Sequence, residues 1–171
     1  MDTLSQFELA AEQLKAGNQH FEYALNNDFF DALDETEIRK GALKAVVDTR
    51  KVGGHIELHI AIDGEVTIPC NRCLDEMQQP IHTTDVWKLF FGENAATDDA
   101  IVVAADAASI NIAWNLYECI ALAIPIAHTH ASGRCNAEMM AKFDEYAIDE
   151  QATRIEPDPR WDALKHISTN N

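Results

Sequence analysis

Apolar residues recur at every second position over much of residues 42–62, and a period of two dictates β-strands. Leu43, Ala45 and Val47 alternate within residues 42–51. Ile56, Leu58, Ile60 and Ile62 repeat the pattern within residues 55–62, after a turn at Val52-Gly53-Gly54. Asp63-Gly64 reads as a two-residue hairpin, because glycine takes up positive φ at little cost. Residues 65–69 then return as a further strand that ends at Cys70. Upstream, Phe21, Tyr23 and Leu25 alternate with Glu22, Ala24 and Asn26 in a half-buried strand, and residues 6–13 suit a strand or a short helix. Lys15-Ala16-Gly17-Asn18 forms a turn, and Phe29-Phe30 with Leu33 forms one helical turn or an apolar anchor. Residues 81–91 make another strand, expected to carry Val86, Leu89 and Phe90 into the core.

The period changes after residue 109. Ile112, Leu116, Cys119, Ile120 and Ala123 recur at three and four, which predicts a helix over 110–124, closed by Pro125. Met139, Met140, Phe143 and Ala147 predict a second helix over 136–149. The expected fold is α+β: a mostly antiparallel, barrel-like sheet from residues 19–91, covered by these two helices. Residues 1–150 form one domain on this reading. Residues 151–171 form a tail whose Trp161 and Leu164 dock back on the body.

The 171 residues carry a formal charge of −16. Such a surface repels bare nucleic acid and anionic membranes and suits basic protein partners. No apolar run is long enough to span a bilayer, and Met1 to Phe7 lacks the basic-then-apolar order of a secretory signal. A cytoplasmic protein is expected. Its four cysteines then serve as thiols or metal thiolates.

Cys70-Asn-Arg-Cys73 is the chemically pointed motif. Two cysteines three apart bring two sulfurs to one centre, which is half of a structural zinc site. Cys135 with His128 or His130 completes a Cys3His set, the histidine being open between the two. Plain thiols and a redox pair are the competing readings, although the strand–CxxC–helix context of a redox pair is missing. Arg72, Lys88 and Arg134 are candidates for a small basic spot that contacts phosphate. Cys119 reads as a small buried hydrophobe. His20, His55, His59, His82 and His166 read as structural or solvent-facing. Asp98-Asp99 and Asp149-Glu150 read as solvated loop charge, and no catalytic motif stands out.

Cys70-Asn-Arg-Cys73-Leu74-Asp75-Glu76 resembles the C-x-R-C-L core of the YceD family. Lys15-Ala16-Gly17 with Phe21, Tyr23 and Phe29-Phe30 resembles the N-terminal part of its Bacteroidetes-type members. Ile110-Asn111-Ile112, Glu118, Leu122 and Pro125, then Asp158-Pro159-Arg160-Trp161 with Leu164, resemble its later segments. The resemblance implies a cytoplasmic, non-enzymatic protein tied to accumulation of large-subunit ribosomal RNA. Its partners would be ribosomal proteins or large-subunit assembly intermediates, with ribosomal RNA itself a further candidate. A metal-stabilised RNA-binding protein and a thiol redox enzyme are the alternatives. Many members carry further cysteines after the proline, where this chain has His128-Thr-His130-Ala-Ser-Gly-Arg-Cys135.

Overall fold

The computed structural model describes residues 3–33, 37–92, 100–147 and 160. The long alternating segments form the centre of a five-stranded sheet. Its strands are β2 (Gln19–Leu25), β3 (Lys40–Val52), β4 (His55–Pro69), β5 (Glu76–Phe91) and β6 (Ala100–Val103), in that spatial order. The first three pairings are antiparallel, and β5–β6 is parallel. A short β1 (Glu8–Ala10) pairs separately with β7 (Ser109–Asn111). The α+β expectation holds. The sheet is open among the described residues, with β2 and β6 at its ends, so it is not the expected barrel.

Alternation decides which face is buried. Leu43, Ala45 and Val47 of β3 and Ile56, Leu58, Ile60 and Ile62 of β4 all point into one core. The opposite face carries cross-strand charge pairs: Lys44 with Glu22, His20 with Asp48, and His82 with Asp63. These exposed pairs set register more than they stabilise.

The expected hairpin at Asp63-Gly64 does not form. β4 runs straight through it and pairs on both sides, with Gly64 opposite Leu43 and Ile81. Val66 and Ile68 are buried in the same even-numbered phase as Ile56 to Ile62. Gly64 therefore lies within a paired strand rather than in a turn. Its φ is +146°, and a Cβ there would sit 2.3 Å from the Ala42 carbonyl oxygen. The glycine answers a close backbone approach inside the sheet. The true β4–β5 hairpin loop is residues 70–75, between the Pro69–Glu76 pair.

Helices close the core from one side. α1 (Ala11–Ala16) buries Leu14. α2 (Asn27–Ala32) begins where the Asn26 side chain accepts the Phe29 N–H at 3.2 Å, which supplies one of the bonds the first turn lacks. That turn buries Phe29 and Phe30, and the Phe7 and Phe29 ring centroids lie 5.0 Å apart. α3 (Ala113–Ala123) buries Leu116, Tyr117, Cys119 and Ile120 and packs on β5. It starts later than expected, because residues 109–111 are taken by β7. The Asn111 side chain accepts the Ala113 N–H at 2.9 Å. Ile124 ends it in an extended conformation ahead of Pro125.

Two further expectations are corrected. α4 (Ala137–Tyr146) buries no residue, so it does not cover the sheet. Val86 is exposed, because inward positions on β5 are odd-numbered, as Ile81 and Leu89 show. Phe90 is half-buried and stacks on His55 instead of entering the core. The 151–171 tail (Arg160 apart), His166, Asp98-Asp99 and Asp149-Glu150 lie outside the described residues.

Candidate metal centre

The loop between β4 and β5 is built round two cysteines. Cys70 leaves β4 fully buried, and Cys73 follows at 2% exposure. The Leu74 N–H donates to the Cys70 carbonyl and the Cys70 N–H to the Asp75 carbonyl, each at 2.9 Å, which closes the turn. The Arg72 N–H donates to Cys70 Sγ at 3.4 Å. Amide hydrogens aimed at sulfur favour the thiolate.

The second strand of the site comes from the segment after α3. The Asn71 N–H donates to the His128 carbonyl at 2.9 Å, and Asn71 Nδ2 to the Ile126 carbonyl at 3.1 Å. These bonds lay residues 126–130 along the cysteine loop. The His130 N–H then reaches Cys70 Sγ at 3.4 Å, and its ring Nδ1 lies 3.3 Å from Cys73 Sγ. Nε2 of the same ring is 3.3 Å from the Glu76 carbonyl. A proton on Nε2, donated to that carbonyl, leaves the Nδ1 lone pair facing the sulfurs. A turn closed by the Arg134 N–H on the Ala131 carbonyl at 3.0 Å brings in Cys135.

Four donors thus converge. The ligand atoms of Cys70, Cys73, His130 and Cys135 all lie within 4.8 Å of one another. Zinc–sulfur bonds of about 2.3 Å place tetrahedral donors about 3.8 Å apart, so a contraction of about 1 Å would seat an ion. The donor chemistry fits a thiophilic divalent metal. His128 is not in the group, and its Nδ1 meets the Pro125 carbonyl at 2.8 Å.

The electrostatics fit as well. Burial pushes the Cys70 thiol up, but amide N–H groups of Cys73, Arg72 and His130, with the Cys73 side chain, bring it down to about 5. Its hydrogen bond to Cys70 raises the His130 imidazole above its usual range. Burial and the neighbouring sulfurs Cys73 and Cys70 raise the Cys135 thiol. One thiolate forms readily and makes the next harder to form, a conflict that a dication relieves.

The basic candidates separate. Arg72 and Arg134 sit in the two loops of the centre. Lys88 lies twelve positions along β5 from Glu76, about 40 Å of extended strand away. It stands opposite Glu57 instead. Cys119 is also apart and buried: its thiol donates to Asp85 Oδ2 at 3.7 Å, and burial followed by the Asp85 charge pushes it up to about 12.

The family profile described as large ribosomal RNA subunit accumulation protein YceD matches residues 58–168, a span that holds all four donors. The chain belongs to the YceD family. Comparisons with curated proteins and with solved structures give no match. No helix among the described residues of this YceD chain is long and apolar enough to cross a membrane.

Supporting residues of the YceD centre were not legible as such. Asn136 caps α4, accepting from the Glu138 and Met139 N–H groups at 3.0 and 3.3 Å, while its Nδ2 donates to Asp75 Oδ2 at 3.2 Å. It therefore ties α4 to the cysteine loop. An asparagine ahead of an amphipathic run was its only sequence signal. Leu74 is 69% exposed and sits at φ +64°, where a Cβ is disfavoured by about 1–2 kcal/mol. Leu74→Gly is expected to raise stability by about 0.5–1 kcal/mol, after allowing for glycine's greater freedom when unfolded. Urea unfolding of the metal-loaded protein checks this, and an unchanged or lowered midpoint counts against the strained turn.

Proposed function

We propose that this chain is a cytoplasmic, non-enzymatic factor in accumulation of large-subunit ribosomal RNA, acting in assembly of the large ribosomal subunit. The observation that carries the reading is the YceD match across residues 58–168. Zinc is the metal proposed for Cys70, Cys73, His130 and Cys135, since four protein donors of this softness suit a closed structural site. When bound, the ion supplies a cross-link between the β4–β5 loop and the segment after α3. Its role is to hold these two loops in one arrangement for a partner. The net charge of −16 favours basic ribosomal proteins or assembly intermediates as partners.

A second reading, direct contact with ribosomal RNA, draws support from Arg72 and Arg134 flanking the centre. One experiment addresses both. Tagged protein in gradient-separated lysate is expected to co-sediment with large-subunit precursors, and depletion to lower large-subunit ribosomal RNA. Unchanged ribosomal RNA and particle profiles on depletion would reject the assembly role. A purified complex with ribosomal RNA that weakens steeply with salt and with Arg72→Ala plus Arg134→Ala would favour the RNA reading.

A further inference from the structure

A cleft of about 520 Å³ opens between α3 and the β5–β6 edge. Its walls include Asp85, Val86, Trp87, Ile101, Glu118 and Leu122. Leu122 is 85% exposed, and Trp87 and Ile101 in the same cleft are partly exposed. Isolated exposed apolar residues are ordinary, but three lining one cleft form an apolar wall.

The two carboxylates in this cleft are each held by a tryptophan indole. Asp85 accepts the Val86 N–H at 2.8 Å and the Trp87 indole N–H at 2.9 Å. Glu118 accepts the Trp114 indole N–H at 2.9 Å. Neither has a Lys, Arg or His ion-pair partner among the described residues. The indoles hold both carboxylates in fixed positions beside apolar walls, and their negative charge is left without a counter-charge.

We propose that this cleft is a docking site for an extended basic segment of a partner protein, one that alternates Lys or Arg with aliphatic residues. Aliphatic side chains and lysine stems would lie on Leu122, Trp87 and Ile101, and the cationic heads would meet Asp85 and Glu118. A nucleic acid is disfavoured, since both polar groups on offer are anionic. The inference stands on the cleft alone. It is independent of the metal and of the ribosomal reading, although it specifies the kind of partner that reading needs.

The test is a titration of the full-length, metal-loaded chain with a short synthetic peptide of alternating lysine and leucine, followed by tryptophan fluorescence. Binding is expected to shift the emission and to weaken with salt. Glu118→Gln and Leu122→Ser are each expected to weaken it roughly tenfold. Glu65→Gln, an exposed carboxylate on β4 outside the cleft, should leave it unchanged. Asp85 also orders Trp87, so Asp85→Asn is read only together with its melting curve. Equal loss on Glu65→Gln, or no loss with both Glu118→Gln and Leu122→Ser, would overturn the proposal. So would poly-uridine RNA competing for the cleft, or a homodimer that Leu122→Ser dissolves. Loss of peptide binding with ribosomal co-sedimentation intact would reject the cleft and leave the assembly role standing.

Discussion

Stripping the metal from the Cys70, Cys73, His130 and Cys135 centre is expected to lower the unfolding midpoint by about 10 °C. The estimate follows from linkage. A ligand held at about a thousand times its dissociation constant stabilises the folded state by about 4 kcal/mol. At this chain length each kcal/mol moves the midpoint by about 2–4 °C. The four donors come from two loops separated by more than fifty residues, and little else pins the second loop. Its bonds to the first are Asn71 with His128 and Ile126, His130 with Cys70, Cys73 and Glu76, and Asn136 with Asp75. Without an ion, the Cys70 thiolate would be crowded against the other three donors with no dication to balance it. Cys73→Ser should reproduce most of the loss, because one missing ligand opens the shell. The sheet core is separate from the site, so the metal-free chain should keep its far-ultraviolet strand signal while the 126–136 segment loses hydrogen-exchange protection. Differential scanning calorimetry with and without a strong chelator gives the shift. An identical midpoint in both would remove the structural role.

Gly64→Ala is expected to destabilise the chain by about 3 kcal/mol or more. Two effects act together. A φ of +146° is accessible to glycine and strained for any residue with a Cβ, costing about 1–3 kcal/mol. The added methyl would also meet the Ala42 carbonyl oxygen at 2.3 Å and the Leu43 Cα at 2.6 Å. Both contacts are backbone in the central β3–β4 ladder, so relief requires the strands to part, at about 1–3 kcal/mol. Against a total of about 5–15 kcal/mol for a domain, this is a large fraction. Gly54→Ala is the control, since nothing lies within 4 Å of a Cβ there and its φ is not positive. Urea denaturation should show a clear fall in midpoint for the first variant and almost none for the second. Equal midpoints would mean that residue 64 has neither the positive φ nor the close Ala42 approach described.

That position also shows what sequence could and could not reveal. Asp63-Gly64 carries the local signature of a hairpin. The longer-range signal ran against it: Ile56 to Ile62 and then Val66 and Ile68 share one phase, which a two-residue turn need not preserve. Phase outweighs a dipeptide when both flanking strands are buried. The strands of residues 19–91 were legible because burial on one face imposes alternation. β7 was not, because Ser109–Asn111 becomes a strand only by pairing with the remote Glu8–Ala10. α4 was legible as a helix but not in its placement. Amphipathic spacing identifies a helix face without identifying what covers it, and here nothing among the described residues buries it.

At the centre, the C-x-x-C spacing pointed to both sulfurs, and Cys135 was within reach of the reading. The choice between His128 and His130 was not. The two are on one loop, two residues apart, and backbone bonds from Asn71 and to Cys70 decide which ring turns inward. Lys88 failed to join Arg72 and Arg134 for a similar reason: a place on the strand after the cysteine loop does not say how far along that sixteen-residue strand the side chain lies.

The most direct test of the whole account is the metal content of the chain purified without chelator, measured by elemental analysis beside Cys73→Ser and Cys135→Ser. Convergence of the four donors predicts about one zinc per chain for the natural sequence and well under half of that for either variant. A natural chain that stays metal-free after incubation with zinc, or variants that retain it in full, would contradict it.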